Sequence, residues 1–518
     1  MEAQTTGGKP TWDEVRDKDG GMDNPNDVLG IDAGKASQAN PPESAGSRYA
    51  TRPDEIGDRT RIHLLGTGAI GKLVAHSLRG VPNPPPITLI LHRYRLLEAW
   101  QKGKKVITIQ DGNDENIKVA RGGFDVELMA EVRQQHGVTL SKTSPDVYDL
   151  AGEEGRPHEV AEQMKALQQQ EAEERVASQA GLKDPRTTAP DARNPSERTS
   201  STPAKPHRYY QRYPQAARAI SSSAIDNLIV TVKAPQTIAA LSAIAHRLNQ
   251  TSTICFLQNG LGIVDEMNDK LFPDIATRPN YIQGVITHGA NTPPHIADRD
   301  PFFAIHAGHG TIALSPLPKA GFQQSSTPSE GKNWGAELSP TTRYLMRALT
   351  RTPVLCAVGF TPTELLQQQL EKLAVNSVLN PLTAVLDARN GSLLYNLALT
   401  RTMRMLLAET SLVMRSLPEL QNIPNVNQRF SAERLEHLVV GVANRTQDNI
   451  SSMLADVRAG RRTEIDYING YIVRRGEELG IKCVVNYAIM QTVLGKALMT
   501  NREARDAVPM ERDLNAET

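Results

Sequence analysis

Aromatic side chains are scarce in this chain, at 4% of 518 residues, and the mean hydropathy is −0.40. Part of it is therefore expected to build no core. Cysteine is nearly absent. Cys255, Cys356 and Cys483 lie far apart without metal-ligand spacing, which argues against disulfides and a metal centre and fits a reducing compartment. Neither charge sign is in excess: 58 basic and 58 acidic side chains give a formal net charge of +0. Nucleic acid and anionic membrane surfaces are thereby not expected as bulk partners. No apolar run approaches the ~20 residues that span a bilayer. The first twenty residues mix Glu2, Lys9, Asp13, Glu14, Arg16, Asp17, Lys18 and Asp19, unlike a secretory signal or an acid-poor transit peptide. The expected location is the cytoplasm, with the mitochondrion as the alternative.

The chain does contain a segment in which polar groups are crowded among helically spaced apolar ones. Asn449-Ile450-Ser451-Ser452-Met453 is followed by Thr463-Glu464-Ile465-Asp466-Tyr467-Ile468-Asn469-Gly470, and Ile450, Met453, Leu454, Val457, Ile465 and Ile468 recur at helical spacing. Such a pattern suits a wall that holds a small polar ligand. Upstream, residues 1–59 are rich in Gly, Asn, Asp, Pro and Ser and read as a disordered tail. A low-complexity stretch at about 151–215 reads as an insertion within one domain.

Between these lie strand-like runs at 61–65, 87–91, 227–232, 254–257, 281–286 and 311–314, with helical pattern at 72–78 and 235–248. From about residue 340 the pattern is helical nearly throughout: 370–386, 397–416, 432–456 and 464–479. The fold class is thus an α/β Rossmann-type N-terminal domain (60–338) followed by an all-α domain (340–505) and a tail (506–518).

Gly66-Thr67-Gly68-Ala69-Ile70-Gly71 follows the first strand and opens a helix. This is the dinucleotide fingerprint. Its first Gly permits a tight turn, its second lets the backbone approach a pyrophosphate, and its third allows close helix packing. The helix N-terminus offers free N–H groups to phosphate. At the end of the next strand stands Arg93, where an NAD site would usually place Asp or Glu; Arg suits the 2′-phosphate of NADP, a solvated basic turn being the alternative. Two more strand-end loops, Lys233-Ala234-Pro235-Gln236 and Gln258-Asn259-Gly260-Leu261-Gly262, are candidates for the same crevice.

Lys372, Asn376 and Asn380 are spaced i, i+4, i+8 along one helix face with apolar neighbours. A lysine so placed is desolvated and gives up its proton more easily; the alternative is a solvated stripe, which Asn, a poor helix former, does not favour. His288, His306 and His309 read as loop or hairpin residues, not ligands.

Lys372-Leu373-Ala374-Val375-Asn376 with Asn380-Pro381-Leu382, then Asn449–Met453 and Thr463–Gly470, in this order downstream of the glycine motif, resemble the ketopantoate reductase (2-dehydropantoate 2-reductase) family from Arg61 to about Gln491. The resemblance implies NADPH-dependent reduction of ketopantoate to pantoate, in pantothenate and coenzyme A biosynthesis, in a cleft between the two domains and without a metal. It implies Lys372 and Glu464 as catalytic residues, and Asn376, Asn380, Asn449 and Ser452 as substrate-binding. Gly66, Thr67, Gly68, Ala69, Ile70, Gly71, Arg93, Lys233, Gln236 and Asn259 fall on cofactor positions. Leu370 departs from the pattern, standing where relatives often carry Trp. The implied partner is a small 2-oxo acid; the oligomeric state is left open, a homodimer among the options. Two rival readings are a reductase of another branched 2-oxo acid and a non-catalytic binding protein on the same fold.

Overall fold

Near-continuous apolar runs of four or five residues are what strands buried on both faces require, and the first of them, β1 (Ile62–Leu65), sits in the middle of the main sheet. The chain continues through α1 (Ala69–Leu78), β2 (Ile87–Leu91), α2 (Tyr94–Lys102), β3 (Ile107–Asp111), β4 (Lys118–Arg121) and β5 (Phe124–Leu128). After residues 130–219 come β6 (Asn227–Val230), α3 (Thr237–Ser242), β7 (Thr253–Phe256), α4 (Ile263–Lys270), β8 (Asn280–Ile286), β9 (Gly289–Asn291), α5 (Pro294–Ala297), β10 (Phe303–Gly308) and β11 (Ile312–Leu317). α6 (Pro340–Thr350) and β12 (Ala357–Gly359) complete this part.

This computed structural model describes residues 59–129, 220–319 and 338–506, all within one compact unit. The expected tail at 1–59 (but for Arg59), the insertion at about 151–215 and all but the first residue of the tail at 506–518 lie outside the described residues.

The main sheet has eight strands in the order β12-β11-β8-β7-β6-β1-β2-β5. From β5 to β8 every neighbouring pair is parallel, with Ile62 of β1 opposite both Ile87 of β2 and Asn227 of β6. β11 runs antiparallel to β8. The order of connection reverses at β1, with β2 on one side and β6 on the other, and ligands of open α/β sheets collect outside the carboxyl ends at such a point.

A second sheet, β4-β3-β10-β9, was not foreseen from the sequence. Helix α1 is tied to it by Lys72, buried between the layers, whose three ammonium protons go to Thr292 Oγ1 (2.9 Å), Pro301 O (3.1 Å) and Phe303 O (2.7 Å). His306 stands inside β10 and not in a turn, and its Nε2 meets Nδ1 of His288 at 3.1 Å, both rings buried. Among the described residues no group of three or more His, Cys, Asp or Glu could hold a metal, and no helix is long and apolar enough to cross a membrane.

The helical part comprises α7 (Pro362–Leu386), α8 (Leu397–Ser416), α9 (Val426–Arg429), α10 (Ala432–Arg445), α11 (Ser452–Arg458), α12 (Asn469–Glu478) and α13 (Val484–Asp506). Two expectations need correction here. The helical pattern at 432–456 is broken: α10 ends at Arg445 and α11 starts at Ser452, because Ser451 accepts the Leu454 N–H (3.1 Å) as an N-cap while Asn449 lends its carbonyl to Asn390 N (3.0 Å). The segment from Pro340 to Gly359, expected to open the all-α domain, instead belongs with the sheet, since β12 pairs with β11 and Thr341 and Thr342 bond Thr253.

Helix α7 begins with a complete capping box, Thr361 with Glu364, and Pro at its first position. Pro381 lies inside it and has no N–H to offer the Ser377 carbonyl one turn back. That carbonyl is taken instead by Asn469 Nδ2 at 2.9 Å, and Asn469 also donates to Asn486 Oδ1 (3.0 Å).

Candidate active site

The glycine loop is built as a dinucleotide cradle demands. Gly66 adopts φ +107°, and a Cβ there would lie 2.6 Å from Val232 N; at Gly71 a Cβ would lie 2.0 Å from Gly66 O. Gly68, by contrast, faces open space. The N-terminus of α1 at Ala69 and Ile70 has no side-chain cap and no acidic residue in its first turn, leaving its N–H groups to an anion. Thr67 is half-buried beside it. Thr231 Oγ1 donates to Gly66 O (2.7 Å) and fastens the loop to the end of β6. Arg93 is an exposed N-cap of α2 just beyond β2, with no acidic residue between strand and helix. The residues present thus fit a phosphate-bearing dinucleotide, and the basic side chain at the β2 edge suits one with a 2′-phosphate.

Lys233 follows β6, and its ammonium forms an ion pair with Asp456 of α11, which also accepts Arg461 Nε at 3.0 Å. Asp456 is buried, and its meeting with a residue of the sheet is a feature of the fold that no local pattern announces. Gln236 is exposed one turn further on. Gln258, in the second of the two candidate strand-end loops, donates from Nε2 to Val232 O and Thr237 Oγ1, so it joins the β6 and β7 loops.

The densest chemistry lies around Asn259. Lys372 Nζ donates to Asn259 Oδ1 at 2.8 Å and to Ile286 O at the end of β8. Asn259 Nδ2 in turn donates to Glu464 Oε2 at 3.4 Å, and Glu464 Oε1 accepts the Ala234 N–H at 3.3 Å. Three strand ends and two helical-part segments thus converge on one amide. Burial lowers the Lys372 pKa from 10.5 to about 8, opposed in part by the charge of Glu464. Burial raises that of Glu464 above the usual carboxylate value, opposed by Lys233 and the Ala234 N–H. The register of α7 that aims Lys372 is fixed by its neighbour. Glu371, fully buried, accepts Arg429 Nη2 (2.9 Å) and Nε (3.0 Å) and Arg434 Nη1 (2.7 Å).

Lys372 and Asn376 line a narrow pocket together with Asn259, Gly260 and Gln369. Asn380 is half-buried a turn further along α7 and does not line it. Asn449 and Ser452 are exposed at the gap between α10 and α11, joined to α7 through the Thr383 Oγ1 to Ser451 Oγ bond of 2.7 Å. The pocket therefore gathers Lys372, Asn259 and Asn376, with Glu464 attached through Asn259, while Asn380, Asn449 and Ser452 stand apart from it. Leu370, the departure from the family pattern, is fully buried in the helical core.

A doubly wound sheet with a glycine cradle, joined to a helical part that presents a desolvated lysine beside the strand ends, defines a nucleotide-dependent oxidoreductase. Comparison with known proteins makes the class specific. The profile described as "Ketopantoate reductase PanE/ApbA" matches residues 166–319, and that of its C-terminal region matches 364–497. A Schizosaccharomyces pombe protein described as a probable 2-dehydropantoate 2-reductase is 33% identical over 273 residues, covering 52% of this chain and 74% of that protein. The Beauveria bassiana ketoisovalerate reductase is 23% identical over 461 residues, covering 81% of this chain and 79% of its own. Among solved structures, a D-mandelate dehydrogenase ternary complex shares the fold, with a TM-score of 0.51 at 16% identity over 85% of this chain and 99% of that one. The chain belongs to the ketopantoate reductase family.

Proposed function

We propose that this chain reduces 2-dehydropantoate (ketopantoate) to (R)-pantoate with NADPH, within pantothenate and coenzyme A biosynthesis. The observation that carries the reading is the Lys372–Asn259–Glu464 chain of hydrogen bonds at the carboxyl ends of β6, β7 and β8. An ammonium has three protons to donate. Lys372 spends two, on Asn259 and Ile286, and keeps one for a ligand. Lys72, which is buried and has its pKa likewise lowered to about 8, spends all three on protein oxygens. Lys372 is thus the desolvated lysine equipped for chemistry.

Gly66 through Gly71, with Arg93, Lys233, Gln236 and Asn259, would hold the cofactor, which supplies the hydride when bound. Lys372 binds the C2 carbonyl oxygen of the oxo acid and donates its proton as negative charge develops there. A pKa near 8 matches that task, since the group is protonated at neutral pH yet acidic enough to give the proton up. Glu464 accepts the Asn259 amide N–H, which turns Oδ1 of that amide toward Lys372 and holds the ammonium in place. Asn376 offers an amide to the substrate from the same pocket; Asn380, further along α7, and Asn449 and Ser452, at the start of α11, are assigned to the substrate by the family pattern alone. The natural division between nucleotide and substrate parts falls after β12, near residue 361, because α6 and β12 belong with the sheet.

A second reading, reduction of another branched 2-oxo acid, is favoured by one observation. The ketoisovalerate reductase aligns over a larger share of this chain than the S. pombe relative does, although at lower identity. An NADPH-oxidation assay with 2-dehydropantoate, 2-oxoisovalerate and pyruvate decides between them. The expected preference is for 2-dehydropantoate; no turnover of it by a folded, NADPH-binding protein sinks the first reading. A cytoplasmic location belongs to the same proposal, supported by three free cysteines. A homodimer is supported by the exposed apolar side chains Met405, Leu412, Val484 and Tyr487, and light scattering in solution tests it.

A further inference from the structure

Gln369 stands on α7 one turn before Lys372 and lines the same pocket. It is only 8% exposed, yet its amide makes no hydrogen bond to any described residue. Its near neighbour Gln367 shows what a purely structural amide does in this helix: Oε1 accepts Arg429 Nη1 at 2.9 Å, and Nε2 donates to Thr363 O at 3.3 Å. The apolar positions around Gln369 (Leu366, Leu370, Leu373) are fully or nearly fully buried, so this stretch of helix accepts aliphatic side chains readily. Solvent reaches this amide in the pocket, and a ligand that displaces the water leaves the amide unpaired unless it supplies the missing bonds itself.

We propose that Gln369 is a specificity-determining residue that reads a hydroxyl group on the branched end of the 2-oxo acid. The inference rests on the reductase reading above and sharpens it to hydroxylated branched 2-oxo acids. Along α7, Gln369 precedes Lys372 by about 4.5 Å of helix rise, at ~1.5 Å per residue. With the C2 carbonyl oxygen on Lys372, a hydroxyl two carbons from the carbonyl carbon lies within reach of that amide. A hydroxyl donates one hydrogen bond and accepts others, and a carboxamide offers both counterparts. 2-Oxoisovalerate has no such hydroxyl and would leave the amide buried and unpaired. That penalty is the one by which a site built for a hydroxyl rejects the analogue lacking it.

The test is the nearly isosteric, apolar Gln369→Met in the full chain, read as the ratio of kcat/KM for 2-dehydropantoate to that for 2-oxoisovalerate. The ratio is expected to fall by about tenfold or more, the scale of one or two lost neutral hydrogen bonds. NADPH affinity, followed by quenching of protein fluorescence, should stay within about twofold because no cofactor contact is removed. An unchanged ratio with both substrates impaired alike, or a change confined to NADPH affinity, overturns the inference while leaving the reductase reading intact. Absence of 2-dehydropantoate turnover in the unaltered protein overturns the reductase reading and this inference with it.

Discussion

Replacing Asn259 by Asp keeps the shape of the side chain that joins Lys372 to Glu464 but sets a carboxylate against the ammonium. Lys372 Nζ lies 2.8 Å from the oxygen concerned. At that separation and an effective dielectric of about 20, Coulomb's law gives an attraction of roughly 6 kcal/mol, which is an upper bound. Solvent reaches part of Lys372, and the new carboxylate also faces Glu464, the acceptor 3.4 Å from the present Nδ2. Burial already raises the pKa of Glu464, so when the two carboxyl groups compete, the proton settles on Glu464 and the charge stays beside the lysine. If about a third of the bound survives, the Lys372 pKa rises by ~1.5 units at 1.36 kcal/mol per unit.

The sign follows from the chemistry. Lys372 acts while protonated, so in the unaltered enzyme activity declines as pH rises through about 8. In Asn259→Asp the alkaline limb should move up, toward the ordinary lysine value. The measurement is kcat against pH with 2-dehydropantoate and saturating NADPH. The limb position is informative even if the variant is much slower, because it reports ionisation and not the height of the barrier. A limb that stays near pH 8, or moves down, would refute the direct contact between residue 259 and the lysine that titrates.

Two other outcomes are expected. Lys372→Ala should lower kcat by at least ~100-fold and abolish the alkaline limb, the scale of losing a general acid; near-normal turnover would remove Lys372 from the mechanism. Arg93→Ala should weaken NADPH by about tenfold or more, as losing a charge-assisted hydrogen bond does, with NADH changed far less. Equal effects on the two cofactors would make the arginine a surface residue only.

Local pattern carried much of the architecture. The strands β1 and β2, the glycine turn and helix α8 were legible because each is dictated by its own apolar period and punctuation. The second sheet was not. β4 is almost wholly exposed and so has no apolar period to read, and β3 pairs with β10 nearly two hundred residues away. The break between α10 and α11 was hidden because Ile450, Met453 and Val457 keep the helical rhythm across it, while the interruption is made by Ser451 as a cap. At the site, single residues were readable by type, but their partnerships were not. Lys233 reads as a cofactor residue, and only the fold reveals its pairing with Asp456. Gln369 sits in a polar run that looks like a solvated face, and packing alone turns it inward.

The proline in the middle of α7 ties two distant stretches of sequence into one heritable unit. Pro381 frees a carbonyl that Asn469 occupies, so a change at one position strands a polar group at the other. Substitutions at the two sites should therefore arrive together or not at all. A library that varies α7 while holding the Tyr467-Ile468-Asn469-Gly470 turn constant samples mostly frustrated sequences; one that varies both as a pair explores the cleft without loosening its wall.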